Sequence, residues 1–178
     1  MRLNFVLICM VNVCLLGSFQ AEAGSPAKDA CTFPAGLRDE ISRKYPGTRV
    51  VGFDDLTDYK MKLFKKHHSS QCPGLVKVNF YGDGKPTWAV VLISGENPKR
   101  KAELVIARQA DEGWETHSFG TTDGTPVVWR EGPGKYEDLY EKKTIRARWP
   151  VIVFCGLASW EVVFAWTGKE VEKVQTSD

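Results

Sequence analysis

The chain has 178 residues, of which 43 % are hydrophobic, and its 24 lysines and arginines against 22 aspartates and glutamates leave a net charge of +2. Charges so balanced and so mixed along the chain exclude the broad field of a nucleic-acid-binding protein or of one steered to an anionic surface. Length and apolar content suit one domain with a real core rather than a disordered or fibrous chain.

At the N-terminus Arg2 precedes residues 5–16, apolar except for Asn12, and Ala21-Glu22-Ala23 follows. Positive, apolar and small-residue parts in that order form the pattern of a secretory leader, cleaved after Ala23. The apolar part ends at Gly17-Ser18, short of the roughly 20 residues a membrane span needs, so no transmembrane anchor is expected. The reading is a leader over residues 1–23 and a single exported domain over residues 24–178, periplasmic or secreted. Loss of the leader removes Cys9 and Cys14 and leaves Cys31, Cys72 and Cys155 in a compartment that permits disulfides. Cys155 ends the apolar run Val151-Ile152-Val153-Phe154 and suits a buried thiol, whereas Cys31 and Cys72 lie at loop ends beside helices. A Cys31–Cys72 bridge is favoured, with Cys155 the alternative partner of Cys72.

Residues 34–45 carry Leu37, Ile41 and Tyr45 at spacing four, with Thr32 as a cap and Pro46-Gly47 as a stop, which predicts a first helix. Residues 48–53 read as a short strand. Asp54, Asp55 and Thr57 offer caps for a second helix through His67, whose narrow apolar face of Tyr59, Leu63 and Phe64 is crowded by lysines and His67-His68. Eight β-rich runs follow between turn residues: 75–81, 87–94, 102–109, 114–119, 126–130, 145–155, 160–166 and 170–175. Short connections between them imply antiparallel neighbours. Trp160, Val162, Phe164 and Trp166 alternate on one face, while residues 88–93 and 151–154 are apolar on both. Residues 132–143, opening on Gly-Pro-Gly, read as a surface excursion with room for one helical turn. The expected fold is α+β, two N-terminal helices packed on a mainly antiparallel sheet or partly closed β-sandwich.

The string from Asn79 to Thr87 resembles the calcium loop of FG-GAP repeats, in which oxygen ligands alternate around a Gly-Asp-Gly turn. Here Asn79, Tyr81 and Thr87 stand where carboxylates or short polar side chains are needed, and only Asp83 is kept. One carboxylate does not hold calcium, so the resemblance implies a hairpin without a metal. His67 and His68 point about 100° apart on a helix and cannot share one ion. No nucleophile elbow, zinc-protease, phosphate-loop or dinucleotide motif occurs, so no catalytic residue, metal or cofactor is assigned. Asp54-Asp55 reads as capping and Cys31 as a staple. The segments Cys72-Pro-Gly-Leu-Val, Gly82-Asp-Gly-Lys-Pro, Trp166-Thr-Gly-Lys and the closing Ser177-Asp178 resemble small exported bacterial proteins of unassigned function, which implies an α+β envelope protein and no mechanism.

Six tryptophans are many for this length, and three of them, Trp114, Trp129 and Trp149, lie at strand ends beside charge. Together with Arg130, Tyr136 and Tyr140, and with Arg146 and Arg148 nearby, they are the candidate binding residues. The expected function is a non-catalytic binding protein of the cell envelope, with another exported protein or a glycan as partner, of inhibitor or immunity type. A small periplasmic hydrolase uniting His67, His117 or Asp54, or a structural envelope component, are the alternatives.

Overall fold

The computed structural model describes residues 31–96 and 98–178; the leader expected over residues 1–23 lies outside them. The elements in chain order are α1 (Leu37–Lys44), β1 (Arg49–Val50), a 3-10 turn (Phe53–Asp55), α2 (Asp58–His68), β2 (Leu75–Val78), β3 (Thr87–Ser94), β4 (Lys101–Ala110), β5 (Gly113–Asp123), β6 (Val127–Glu131), β7 (Gly134–Glu137), β8 (Thr144–Ala147), β9 (Val151–Gly156), β10 (Trp160–Trp166) and β11 (Val171–Ser177). All pairings are antiparallel.

The first sheet runs β1-β3-β4-β5, with β2 and β1 end to end along the same edge of β3. The second runs β11-β10-β9-β6, and β7 and β8 form a separate ribbon. One core lies between the two sheets: Ala89, Val91 and Ile93 of β3 and Leu104 and Ile106 of β4 meet Ile152, Phe154 and Phe164. The opposite face of β3 and β4 presents Val90, Leu92, Val105 and Ala107 to Leu37 and Ile41. That is why residues 88–93 are apolar on both faces. The sheets join on one side, where the Val128 N–H donates to the Pro73 carbonyl at 2.7 Å.

The α+β expectation, with two N-terminal helices packed as a layer on the sheet, is overturned. The described residues are mainly antiparallel β, 46 % strand against 15 % helix. The helices are 8 and 11 residues long and bury only Leu37, Ile41 and Phe64 between them. Two sheets already cover each other's apolar faces, so the helices act as plugs. α1 closes the outer cluster, and α2 sends Phe64 into the inter-sheet core. α1 starts at Leu37 rather than at residue 34, because a turn comes first, with the Leu37 N–H donating to the Pro34 carbonyl at 3.3 Å. Thr57 is the cap of α2, its side chain accepting from the Lys60 N–H at 3.4 Å.

Cys31 and Cys72 are bonded to each other, 41 residues apart, and Cys155 is a buried free thiol. The bridge sits where the chain is tightest. The Val91 N–H donates to the Gly74 carbonyl at 2.8 Å and the Val91 carbonyl accepts from the Val51 N–H at 3.1 Å, so β1 and the start of β2 are stitched to the same residue. A Cβ at Gly74 would lie 2.5 Å from the Val51 carbonyl oxygen, which leaves glycine as the residue that fits there.

Asp55 ties this corner to the sheet. Its carboxylate, only 5 % exposed, accepts from the Arg49 guanidinium at 2.6 Å and from the Gly52 N–H at 3.0 Å, with Arg100 at 3.5 Å. Burial alone would raise its pKa, but the Arg49 and Gly52 hydrogen bonds and the two positive charges outweigh it and hold the carboxyl below its ordinary value. A pKa depressed in the folded state adds stability above the unfolded value, which is lost as pH falls through the folded one. Asp55→Asn is therefore expected to cost about 1–3 kcal/mol at neutral pH, by removing the charge and one of the two acceptor oxygens that Arg49, Arg100 and the Gly52 N–H share. In urea unfolding the gap between variant and parent should narrow progressively below a pH of about 4.

Candidate binding cleft beside a free edge strand

The two sheets close along β6 and β2 and part on the opposite side, where β5 faces β10. The parting is a cleft of about 320 Å³ lined by Phe119, Gly120, Thr122, Phe154, Trp160, Val162, Phe164 and Gln175, among others. Two irregularities shape it. In the β4–β5 ladder Leu104 pairs with Gly120 but Val105 with Ser118, so Phe119 is an extra, bulged residue. A bulge re-aims its side chain, and here the Phe119 ring lies 5.4 Å from that of Phe164. In the β10–β11 ladder Glu161 pairs with Ser177 and Val162 with Gln175, which bulges Thr176 at the same end of the cleft. Phe154 and Trp160 meet edge to face at 5.1 Å and form the end wall.

β5 is also the edge of its sheet. Of its 11 residues all but Phe119 pair with β4 on one side, and on the other no backbone group hydrogen-bonds to another segment among the described residues. Natural edges of such length are commonly blunted with lysine or proline. Residues 113–123 contain neither, though Glu115, Asp123 and the Phe119 bulge lie along the edge, and burial alternates between half-buried and exposed on each side of that bulge. An unpaired ladder next to a cleft with aromatic side chains on its floor and polar ones, Thr122, Lys173 and Gln175, at its rim is the geometry that accepts an added strand.

The residues singled out from the sequence do not form one surface. Trp114 is half-buried on the outer face, its Nε1 donating to the Ala35 carbonyl at 3.2 Å. Trp129 is only 7 % exposed, lies under His68 with ring centroids 4.5 Å apart, and donates from Nε1 to Glu131 at 3.1 Å. Trp149 is half-buried against the residue 79–86 loop and the β10–β11 turn, packed on Gly82 and Gly168. These three tryptophans are packing and hydrogen-bonding groups, not an exposed aromatic ring. Arg130 is exposed beside Trp88 and Lys77. Tyr136 is half-buried, and its hydroxyl donates to the Gly132 carbonyl at 2.7 Å. Burial, and then the nearby Glu131 carboxylate, push its pKa up to about 12. Tyr140 is 62 % exposed next to Leu139 at 53 %, and a hydrogen bond between its hydroxyl and the Asp178 carboxylate raises its pKa. Residues 132–143, expected as a loop with a helical turn, instead contain β7, paired with β8. The cleft residues Phe119, Trp160, Val162 and Phe164 were not singled out, although the alternation of the last three is visible in the sequence.

The hairpin resembling a calcium loop is closed by its own side chains. Asn79 accepts from the Gly84 N–H at 3.2 Å, and Asp83 accepts from the Lys85 N–H at 3.0 Å and pairs with Arg108. Gly82 has φ +71°, and a Cβ there would lie 1.9 Å from Trp149 Nε1. Gly82→Ala is accordingly expected to cost about 2–4 kcal/mol through overpacking and a strained backbone, read as a fall in the urea midpoint. Trp149→Leu in the same chain should recover part of that loss.

A second groove of about 430 Å³ lies at the end of α2, lined by His67, His68, Trp129, Cys155, Ser159, Trp160 and Glu161 among others. Its groups are occupied or unactivated. His68 is stacked between Phe64 at 4.8 Å and Trp129, and burial lowers its pKa. Burial pushes the Cys155 thiol up to about 12, far from the depressed value of a nucleophile. The Ser159 hydroxyl donates to the Gly156 carbonyl at 2.6 Å. Of the groups a hydrolase was expected to unite, this groove takes His67, while His117 is on β5 and Asp54 in the 3-10 turn. No group of three or more metal-ligating side chains occurs among the described residues. No family model, curated protein or solved structure matches the chain.

Proposed function

We propose that this chain is an exported, non-catalytic binding protein that accepts an extended segment of a partner protein on the free edge of β5. Backbone hydrogen bonds to β5 give the affinity, and alternate apolar side chains of the segment enter the cleft beside Phe119, Trp160 and Val162. The observation that carries this reading is the coincidence of an unpaired 11-residue edge with a cleft on its inner side that offers both aromatic and polar side chains. A glycan partner is less well served, because the exposed aromatic platform it would stack on is missing at Trp114, Trp129 and Trp149. The occupied side chains of the α2 groove give no support to the hydrolase alternative.

A displayed library of linear peptides tests the reading. Selected sequences should carry apolar residues at alternate positions, as a strand requires. N-methylation of alternate backbone nitrogens in a selected peptide should abolish binding, and Phe119→Ser should weaken it at least tenfold, on the order of one apolar anchor. Selected peptides without alternation, or binding indifferent to both changes, would count against it.

A further inference from the structure

The even charge of the whole chain conceals one local asymmetry. α2 carries Lys60, Lys62, Lys65, Lys66, His67 and His68 against a single acid, Asp58. Attraction of cations to a helix C-terminus accounts for those in the last turn, but not for Lys60 and Lys62. At about 100° per residue, Tyr59, Lys62 and Lys66 fall on the side away from buried Phe64, with Lys65 at its margin, where the ammonium lies 4.8 Å from the Phe53 ring centroid. All four are exposed, Tyr59 at 65 %. Among the described residues no carboxylate lies within ion-pairing distance of Lys60, Lys62, Lys65 or Lys66. Lys44, Lys101, Lys135 and Lys143 each have one.

We propose that this face of α2 docks the protein on an anionic lipid bilayer, its lysines at headgroup phosphates and Tyr59 in the interfacial layer. Charge complementarity is the first argument: Lys62, Lys65 and Lys66 stand on this side against the single acid Asp58, and none of the three is in an ion pair among the described residues. The second is the tyrosine, whose apolar ring and polar tip match a boundary that is apolar on one side and wet on the other. The third is shape. The helix is about 16 Å long, and Tyr59, Lys62, Lys65 and Lys66 line neither of the two grooves described above. None of these residues lines the inter-sheet cleft, so docking leaves β5 open and is independent of the peptide-binding reading.

Co-sedimentation of the full chain with vesicles of phosphatidylglycerol and phosphatidylcholine, against pure phosphatidylcholine, tests this. The N-terminal stretch with Arg2 is common to the parent and every variant, so its contribution cancels in the comparison among them. The parent is expected to partition preferentially to the anionic vesicles, and Lys62→Gln with Lys66→Gln should reduce that preference about 25-fold, at one contact each. Lys101→Gln with Lys135→Gln changes net charge equally and should leave it within about twofold. The proposal is overturned if both double variants lose equally, if anionic vesicles are not preferred, or if the chain is retained by soluble heparin without partitioning to vesicles. Unchanged far-ultraviolet circular dichroism in these surface variants keeps loss of fold apart from loss of docking.

Discussion

Phe64→Ala should lower the free energy of unfolding by about 3–5 kcal/mol, the range for emptying a fully buried aromatic site. Phe64 is 0 % exposed and is the one residue that α2 buries outright. Its ring packs on Phe53 at 6.2 Å and His68 at 4.8 Å, and through His68 on Trp129 of the second sheet. Truncation removes the plug at one end of the inter-sheet core and leaves a cavity that two rigid sheets do not collapse to fill. Phe64→Leu keeps most of the volume and should cost less than half as much. A loss below about 1 kcal/mol for Phe64→Ala would mean that α2 does not seal this core. Chemical denaturation with matched m-values checks it.

Opening the Cys31–Cys72 bridge is the second large effect. The bridge spans 41 residues, a loop whose closure restricts the unfolded chain by about 4 kcal/mol on the chain-entropy model. Cys31→Ser with Cys72→Ser, or reduction of the parent, is expected to lower stability by roughly that amount and the melting temperature by roughly 8–16 °C. The loss should be the same by either route, because Cys155 is buried and its thiol carries no staple. Equal stability of oxidised and reduced protein would contradict the assignment of this bridge as the clamp on β1 and β2.

Several elements were legible because local chemistry decides them. β3 and β10 match their sequence-derived bounds, since residues 87–94 and 160–166 are β-branched and aromatic runs ending at Gly95 and Thr167-Gly168. The staple and the residue 79–86 hairpin were readable for similar local reasons. The misses come from pairing partners that a single segment does not announce. β5 runs on past Phe119 to Asp123 because β4 continues to pair with it through a bulge, which carries the ladder across Gly120. Residues 145–155 are two strands, β8 and β9, because Trp149 leaves the ladder to pack on Gly82 and Pro150 offers no donor. β7 hides in a Gly-rich, charged segment, with β8 as its pairing partner. The fold class went wrong because two clear helical patterns said nothing about how much of the core the sheets would supply to each other.

The candidate site was half visible. The alternation of Trp160, Val162 and Phe164 marks a strand with one apolar face, yet what stands opposite depends on the Phe119 bulge, a long-range property. Trp129 looked exposed because Arg130 and Glu131 follow it, but His68, 61 positions earlier in the numbering, covers its ring. Strand ends beside charge mark the boundary of burial only when no other element lies over them.

Residue-resolved amide hydrogen exchange over Gly113–Asp123, with and without a selected peptide, tests the central claim most directly. In the free protein the β5 amides that face β4 should exchange slowly and the alternate, outward-facing ones rapidly. Bound peptide should protect the outward set. Outward amides already slow in the monomer, or protection that appears elsewhere, for example over residues 138–141, while β5 stays unchanged, would contradict strand addition at this edge.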